Sequence, residues 1–308
     1  MRLSLTFLTC SANPAYCCPR GCGAKSAPMG LNYNDVRFLL EWRRDAVGGA
    51  VVTFGRQKVF LHPGQRRQLR SDRTSAWLDD YRFGDFADDM FRRAFGFDRV
   101  ESIDISPFED ATIISDIGAP LPAEIDGQFD LAIDGGTLEH VFNYPVGIAN
   151  LMRLVRLGGA AYTQNPCGGL AGHGFYQFSP ELMYRVFCPD NGFRLQFVRV
   201  GLSRTISVEQ TVDQPVYDIA DPADIGGRIN LQDACPMIVM CLATRIADVP
   251  PFRTAPMQSD YAAKWDGSTA PSDLNWKGRL VESIPPLKRF FLRRSEAAKN
   301  RKALRRIY

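Results

Sequence analysis

The stretch Phe129-Asp-Leu-Ala-Ile-Asp-Gly-Gly-Thr-Leu-Glu-His-Val141 is a short apolar run that ends in an acid, two glycines and a polar turn. An apolar run of this length reads as a strand buried on both faces. Gly135-Gly136 breaks it, and Leu138, Val141, Val146, Ile148, Leu151, Leu154 and Val155 follow, partly at helical spacing, up to Gly158-Gly159. Strand, glycine break, helix and glycine break make up one unit of a parallel sheet. Working outward, Ala50-Val-Val-Thr-Phe54 before Gly55, Arg99 to Ile105 and Ala111 to Asp116 read as three earlier strands. Ala160 to Gln164, Phe193 to Val200 and Met237 to Arg245 read as three later ones, with a short helix over Pro180 to Phe187. Alternation of this kind predicts an open, mostly parallel α/β sheet.

The chain has 308 residues, of which 45% are hydrophobic and 23% charged. That suffices for one α/β domain with extensions and excludes wholesale disorder, collagen and a disulfide miniprotein. The apolar run Pro236 to Ala243 falls far short of the ~20 residues a membrane helix needs and reads as a buried strand. The net charge of +3 hides an asymmetry. Lys277 to Tyr308 holds eleven Lys/Arg against two Glu, leaving 26 basic and 32 acidic residues elsewhere. Eight cysteines divide into Cys10, Cys17, Cys18 and Cys22 near the start, and Cys167, Cys188, Cys235 and Cys241 in the body. The body cysteines lack any C-x-x-C spacing and are expected as reduced thiols of a cytoplasmic protein. The first four fit no usual zinc knuckle. Residues 1–28 read as an extension outside the fold, disordered or the product of a misplaced start. Residues 29–249 form the expected domain, and 250–308 a proline-containing linker with a basic tail.

In open parallel sheets ligands bind beyond the carboxyl ends of the strands, where the strand order reverses. Those ends here carry Gly55, Asp104, Asp116 and Asp134-Gly135-Gly136. A carboxylate after the second strand suits a ribose diol, which offers two hydroxyl donors to one acceptor pair. A glycine after the first strand lets backbone approach a ligand. Taken singly, each acid serves equally as a helix cap or turn residue. Their order along three consecutive strand ends favours the ligand.

With these residues in place, the sequence resembles a class I S-adenosylmethionine-dependent methyltransferase, close to the methyltransferase type 11 group. The similarity runs from about Val51 to Arg245 and is strongest in Phe129 to Val141, which resembles the family's fourth strand and "LEHV" turn. Leu151-Met-Arg-Leu-Val-Arg-Leu-Gly-Gly159 is similar to the family's R-x-L-x-P-G-G approach to strand five, with Leu157 in the proline's place. Val100 to Ser106 matches the acidic second-strand motif, and Asn165-Pro166 with Gly172 to Glu181 resembles some members. The resemblance implies a Rossmann-like, seven-stranded sheet, mostly parallel with an antiparallel last strand and helices on both faces. It implies S-adenosylmethionine as cofactor, held by Gly55, Arg56, Gln57, Asp104, Ile105, Asp116, Ile117, Asp134 and Gly135. One departure stands out. The family's D-x-G-x-G-x-G loop is reduced to Val52-Thr-Phe-Gly55-Arg-Gln-Lys58, so either the methionine end is held differently or Arg56 or Gln57 reaches its carboxylate.

Methyl transfer from a sulfonium is an in-line displacement that rewards alignment, and a hydroxyl acceptor also needs a base. Of the three histidines, His140 follows strand four and His173 sits in a Gly-flanked loop after strand five. Either fits the base, His173 being preferred, while His140 fits a loop-ordering role equally; His62 reads as structural or surface. No metal is expected, since Glu139 and His140 are merely adjacent. Phe175, Tyr176 and Phe178 read as core cover or as an acceptor wall. Ser203 to Asp233, with Asp213, Asp218, Asp221 and Asp224, reads as an acidic lid or recognition insertion, or as disorder. The basic stretch 287–308 reads as a helix, either solvated or lying on an anionic membrane surface, which would make the protein peripheral there. No specific nucleic-acid partner is expected. The expected activity is methyl transfer to a hydroxyl of a small molecule or glycan. The alternative is a catalytically degenerate methyltransferase-like binding or scaffold protein.

Overall fold

The computed structural model describes residues 30–43, 46–202, 215–231, 235–265 and 302–307. The first 28 residues with their four cysteines, Asp213 and residues 287–301 lie outside the described residues.

The chain starts with β1 (Leu31–Asn32) and α1 (Tyr33–Trp42). Asn32 caps the helix by accepting from the Asn34 N–H, and the Asp35 carboxylate accepts from the Asn32 N–H at 2.7 Å. There follow β2 (Ala50–Phe54), β3 (Val59–Phe60), α2 (Pro63–Leu69), α3 (Ser75–Asp80) and α4 (Asp88–Arg93). Next come β4 (Arg99–Asp104), β5 (Ile113–Ile114), β6 (Phe129–Asp134), α5 (Tyr144–Leu154) and β7 (Val155–Gly168). The described chain continues with α6 (Pro180–Val186), β8 (Phe193–Leu202), β9 (Val216–Ile219), β10 (Met237–Arg245), α7 (Ser259–Trp265) and β11 (Leu304–Arg306). β1 and β3 form a small parallel pair beside the main sheet, whose order is β11-β9-β8-β10-β7-β6-β2-β4-β5.

All five residues of β2 are buried, as expected of a central strand covered on both faces. Its alternation divides the core. Ala50, Val52 and Phe54 join Ile148, Leu151 and Met183 of α5 and α6 on one face. Val51 joins Val36, Phe38, Trp77, Met90 and Phe91 of α1, α3 and α4 on the other. Burying each such large apolar side chain contributes ~1.5–3 kcal/mol. The helices therefore lie on both faces of a Rossmann-like α/β sheet. The crossover from β2 to β4 runs through α2–α4 on one face, and that from β6 to β7 runs through α5 on the other. β2 and β6 are hydrogen-bonded neighbours, so the strand order reverses between them. Their carboxyl ends form the switch point of the sheet.

β2, β4, β5, β6 and β7 are mutually parallel, whereas β10 pairs antiparallel with both β7 and β8. Among the described residues the sheet has nine strands rather than seven, because β9 and β11 extend it beyond β8. These two also correct two readings of the sequence. Within the acidic insertion, Val216–Ile219 is a strand, and two of the insertion's acids are ion-paired. Asp218 holds Arg199 at 2.9 Å and Arg305 at 2.7 Å, and Asp221 pairs with Arg185. In the basic tail, Leu304–Arg306 is an antiparallel strand on β9, not helix, and Ala303 is buried. Of the charges that suggested a solvated helix, Arg305 meets Asp218 of β9. No helix among the described residues is long and apolar enough to cross a membrane. Cys167, Cys188 and Cys241 are free thiols.

Candidate functional site

At the switch point the chain leaves β2 through Gly55, whose φ is +64°. Three side chains gather there. Thr137 Oγ1 lies 3.5 Å, and Asp104 Oδ2 and Gln57 Nε2 each 3.8 Å, from the position that a β-carbon on Gly55 would take. Thr137 Oγ1 donates to the Phe54 carbonyl at 2.8 Å, and Gln57 Nε2 donates to the same carbonyl at 2.7 Å. The Gln57 amide is buried and fills the space that a side chain on Gly135 would need, so a larger residue there would displace it. The sequence therefore places Gly55, Gln57, Asp104 and Gly135 together, and the fold does the same.

The acids at the strand ends differ from one another. Asp104 is half-buried at the end of β4, and its Oδ1 accepts from the Ser106 N–H at 3.2 Å. Its Oδ2 faces Gly55. Asp116 is exposed in the loop after β5, with Oδ1 accepting from the Gly118 N–H at 2.8 Å, and the neighbouring Ile117 is buried. Ile105 is 71% exposed, an uncovered apolar side chain next to Asp104. Asp134 is wholly buried and faces inward. It accepts from the N–H groups of Thr137 and Leu138 at 2.9 and 3.1 Å and from Asn165 Nδ2 at 2.7 Å. Burial pushes its carboxyl up to about 6 against these stabilising hydrogen bonds. Asp134 thus holds the turn after β6.

Arg56 points away from the switch point. Its guanidinium pairs with Asp88 at 3.1 Å and Asp110 at 3.4 Å, donates to the Glu109 carbonyl and covers the Phe86 ring. The residues between β2 and β4, more than one helix needs, build the α2–α4 layer, from which Phe86 and Asp88 come.

A second cluster lies one turn further along. The single-turn helix Leu138–His140 carries Glu139, which is wholly buried, and His140, whose side chain is 48% exposed. The loop after β7 brings His173 over it. Phe175 N–H and Tyr176 N–H both donate to the Glu139 carbonyl, at 2.7 and 3.3 Å. Gly174, with φ +74°, allows this approach, since a β-carbon there would sit 2.8 Å from that same oxygen. Glu139 Oε1 then lies 3.7 Å from His173 Nε2 and 4.0 Å from His140 Nε2, and the two imidazoles meet edge to face at 4.9 Å. The other carboxylate oxygen accepts from Asn165 Nδ2 at 3.2 Å. Burial, with Asp134 nearby, raises the Glu139 carboxyl to about 8. Burial, with His173 beside it, holds His140 below its ordinary value. The two predicted histidines are therefore together. His62 starts α2 and packs on Phe83.

Of the aromatic run, Phe178 is core, Tyr176 donates to the Phe142 carbonyl, and Phe175 is 67% exposed. Phe142, 78% exposed, meets Phe175 edge to face at 6.1 Å, which makes an apolar lip beside the histidines. The sequence reading missed Thr137, Asn165 and Phe142. Asn165-Pro166 was the available signal for Asn165, which ties Asp134 to Glu139.

No protein-family model and no curated protein matches this chain. Solved structures with a similar arrangement include a geranyl diphosphate methyltransferase in complex with GPP and sinefungin, at 14% identity and TM-score 0.40 over 69% of this chain and 77% of that one. A TehB-like SAM-dependent methyltransferase from Corynebacterium glutamicum is similar at 13% identity and TM-score 0.33, covering 68% of this chain and 86% of that one. A branched-chain polyamine synthase from Thermus thermophilus, in complex with N4-aminopropylspermidine and 5'-methylthioadenosine, is similar at 13% identity and TM-score 0.36, over 76% of this chain and 65% of that one.

Proposed function

We propose that this chain is an S-adenosylmethionine-dependent methyltransferase of the type 11 kind that acts on a hydroxyl of a small molecule or glycan. The observation that carries the reading is Asp104 Oδ2 facing Gly55 across the switch point of the sheet. A ribose diol needs such a carboxylate at this place, and the uncovered Ile105 beside it suits an adenine face. Asp104 would hold the ribose, Ile105, Asp116 and Ile117 the adenine, and Gly55 and Gly135 would flank the methionine part. Gln57 shapes that floor from above Gly135, and Asp134 keeps the Thr137–Leu138 turn in place. The cofactor supplies a methyl group on a cationic sulfur. The chain aligns the acceptor against it, and the imidazoles of His173 and His140 are the groups offered to the acceptor's hydroxyl proton. The Phe142–Phe175 lip would cover an apolar part of the acceptor. A lipid-linked glycan becomes the favoured acceptor if residues 287–308 meet an anionic membrane.

The test is calorimetric titration of the full chain with S-adenosylmethionine and S-adenosylhomocysteine. Micromolar binding that Asp104→Ala weakens ~10-fold or more, about 1.4 kcal/mol, supports the reading. Absence of binding by the folded chain overturns it. The rival, a binding or scaffold protein without catalysis, is favoured by the engagement of Arg56 with Asp88 and Asp110, which leaves that cation committed.

A further inference from the structure

We propose that Glu139, His140 and His173 form a binding site for one divalent transition-metal ion of the zinc class. One ligand atom from each lies within 4.8 Å of the others. Two of these atoms, Glu139 Oε1 and His173 Nε2, are buried and have no hydrogen-bond partner among the described residues. Buried polar atoms are nearly always satisfied, because an unmade hydrogen bond costs ~1–3 kcal/mol. Two such atoms converging on one point call for a shared partner, and a cation suits a carboxylate and two imidazole nitrogens at once.

The donor set agrees. Two histidines and one carboxylate are the ligands of three-ligand zinc sites that keep a position open, and of related iron and cobalt sites. With metal–ligand bonds of ~2.1 Å, a tetrahedral ion spaces its donors about 3.4 Å apart. The carboxylate-to-imidazole separations of 3.7 and 4.0 Å are within a few tenths of an ångström of that spacing, and the two imidazole nitrogens, within 4.8 Å of each other, close on it by a turn of the half-exposed His140. The backbone fixes the site in advance, since Phe175 N–H and Tyr176 N–H hold the His173 loop to the Glu139 carbonyl. Asn165 orients the carboxylate through its other oxygen, as outer hydrogen bonds do for metal ligands. Glu139 and His140 are adjacent, but His173 arrives from another loop, which is why the sequence pairing alone carried little weight.

His140 is 48% exposed, so an acceptor hydroxyl could reach an ion held here, whose charge would ease loss of its proton, the two histidines then serving as ligands and not as the base. That use rests on the methyltransferase reading, whereas ion binding does not.

The experiment titrates the full, chelator-stripped chain with Co2+, followed by visible absorption, and with Zn2+, followed by calorimetry. One ion per chain, with the strong visible bands of a low-coordinate nitrogen–oxygen site, is expected. Glu139→Gln should weaken it ~10-fold or more. His140→Ala should do the same, and because His140 is half exposed that variant keeps the core intact. Binding that survives both substitutions and shows thiolate-to-cobalt charge transfer would belong to the cysteines and overturn the proposal. So would a folded chain that binds neither ion. S-adenosylmethionine binding, measured separately, reports on the cofactor site whatever the ions do.

Discussion

The Gly55 crevice and the Glu139 corner lie on the same edge of the sheet and differ in how their polar atoms are satisfied. At the crevice the protein partners its own side chains. Arg56 has Asp88 and Asp110, Gln57 has the Phe54 carbonyl, and Asp134 has two N–H groups and Asn165. At the corner two buried atoms have no such partner among the described residues. An acid at a strand end is therefore not a site by virtue of its position alone. Asp134 and Glu139 stand five residues apart and share Asn165, yet one holds a turn together while the other waits for something to bind.

The sharpest way to break this comparison is to remove the two acids separately. Asp134→Ala should cost ~3–5 kcal/mol in urea unfolding, because it strips three hydrogen bonds from a buried turn. Glu139→Gln, measured with chelator present, should leave stability unchanged or slightly raised, since it neutralises a buried carboxyl one of whose oxygens lacks a partner among the described residues. Equal losses from both would erase the distinction.

A second effect, on the order of 2 kcal/mol, concerns pH. Asp35 is wholly buried, donors from Tyr162 and Asn32 point at it, and burial lifts its carboxyl to about 7 from an ordinary 3.8. A raised value means that the folded state holds the proton more tightly. The stability it contributes is complete below about pH 4 and is lost as pH rises through 7. Urea midpoints should fall across that window, and Asp35→Asn should flatten the fall. The smallest effect is expected from Arg305→Ala. Its 81% exposed side chain pairs with Asp218 at the sheet edge, and the change in stability should stay within ~0.5 kcal/mol, with cofactor affinity untouched.

Much of the sheet is legible in the sequence because the central strands are largely apolar runs of five or six residues ended by glycine or acid. β2 and β6 show this most clearly, and Asp104 and Gly55 follow from it directly. The two outermost strands are not legible. β9 and β11 are polar and short, and they are held by Arg199 and Arg305 reaching Asp218 from 19 and 87 residues away. The direction of Arg56 was hidden for a similar reason, since its partners belong to α4 and to the loop after β4. At the corner, the spacing of Glu139 and His140 says little. His173 joins them only through the loop that follows β7, by backbone contacts that leave Gly174 as their one trace in residue type, and Asn165 reaches Glu139 from β7 itself.

The strand Leu304–Arg306 has one more consequence, for self-association. An open sheet invites other chains to add to its edges, and this sheet blunts both. One edge is β5, two residues long, and the other carries the exposed Arg305 and Arg306. Removing residues 302–307 would bare the Val216–Ile219 backbone, two of whose side chains are buried apolar groups. The chain would then be expected to aggregate through that edge before any loss of the switch-point crevice could be seen.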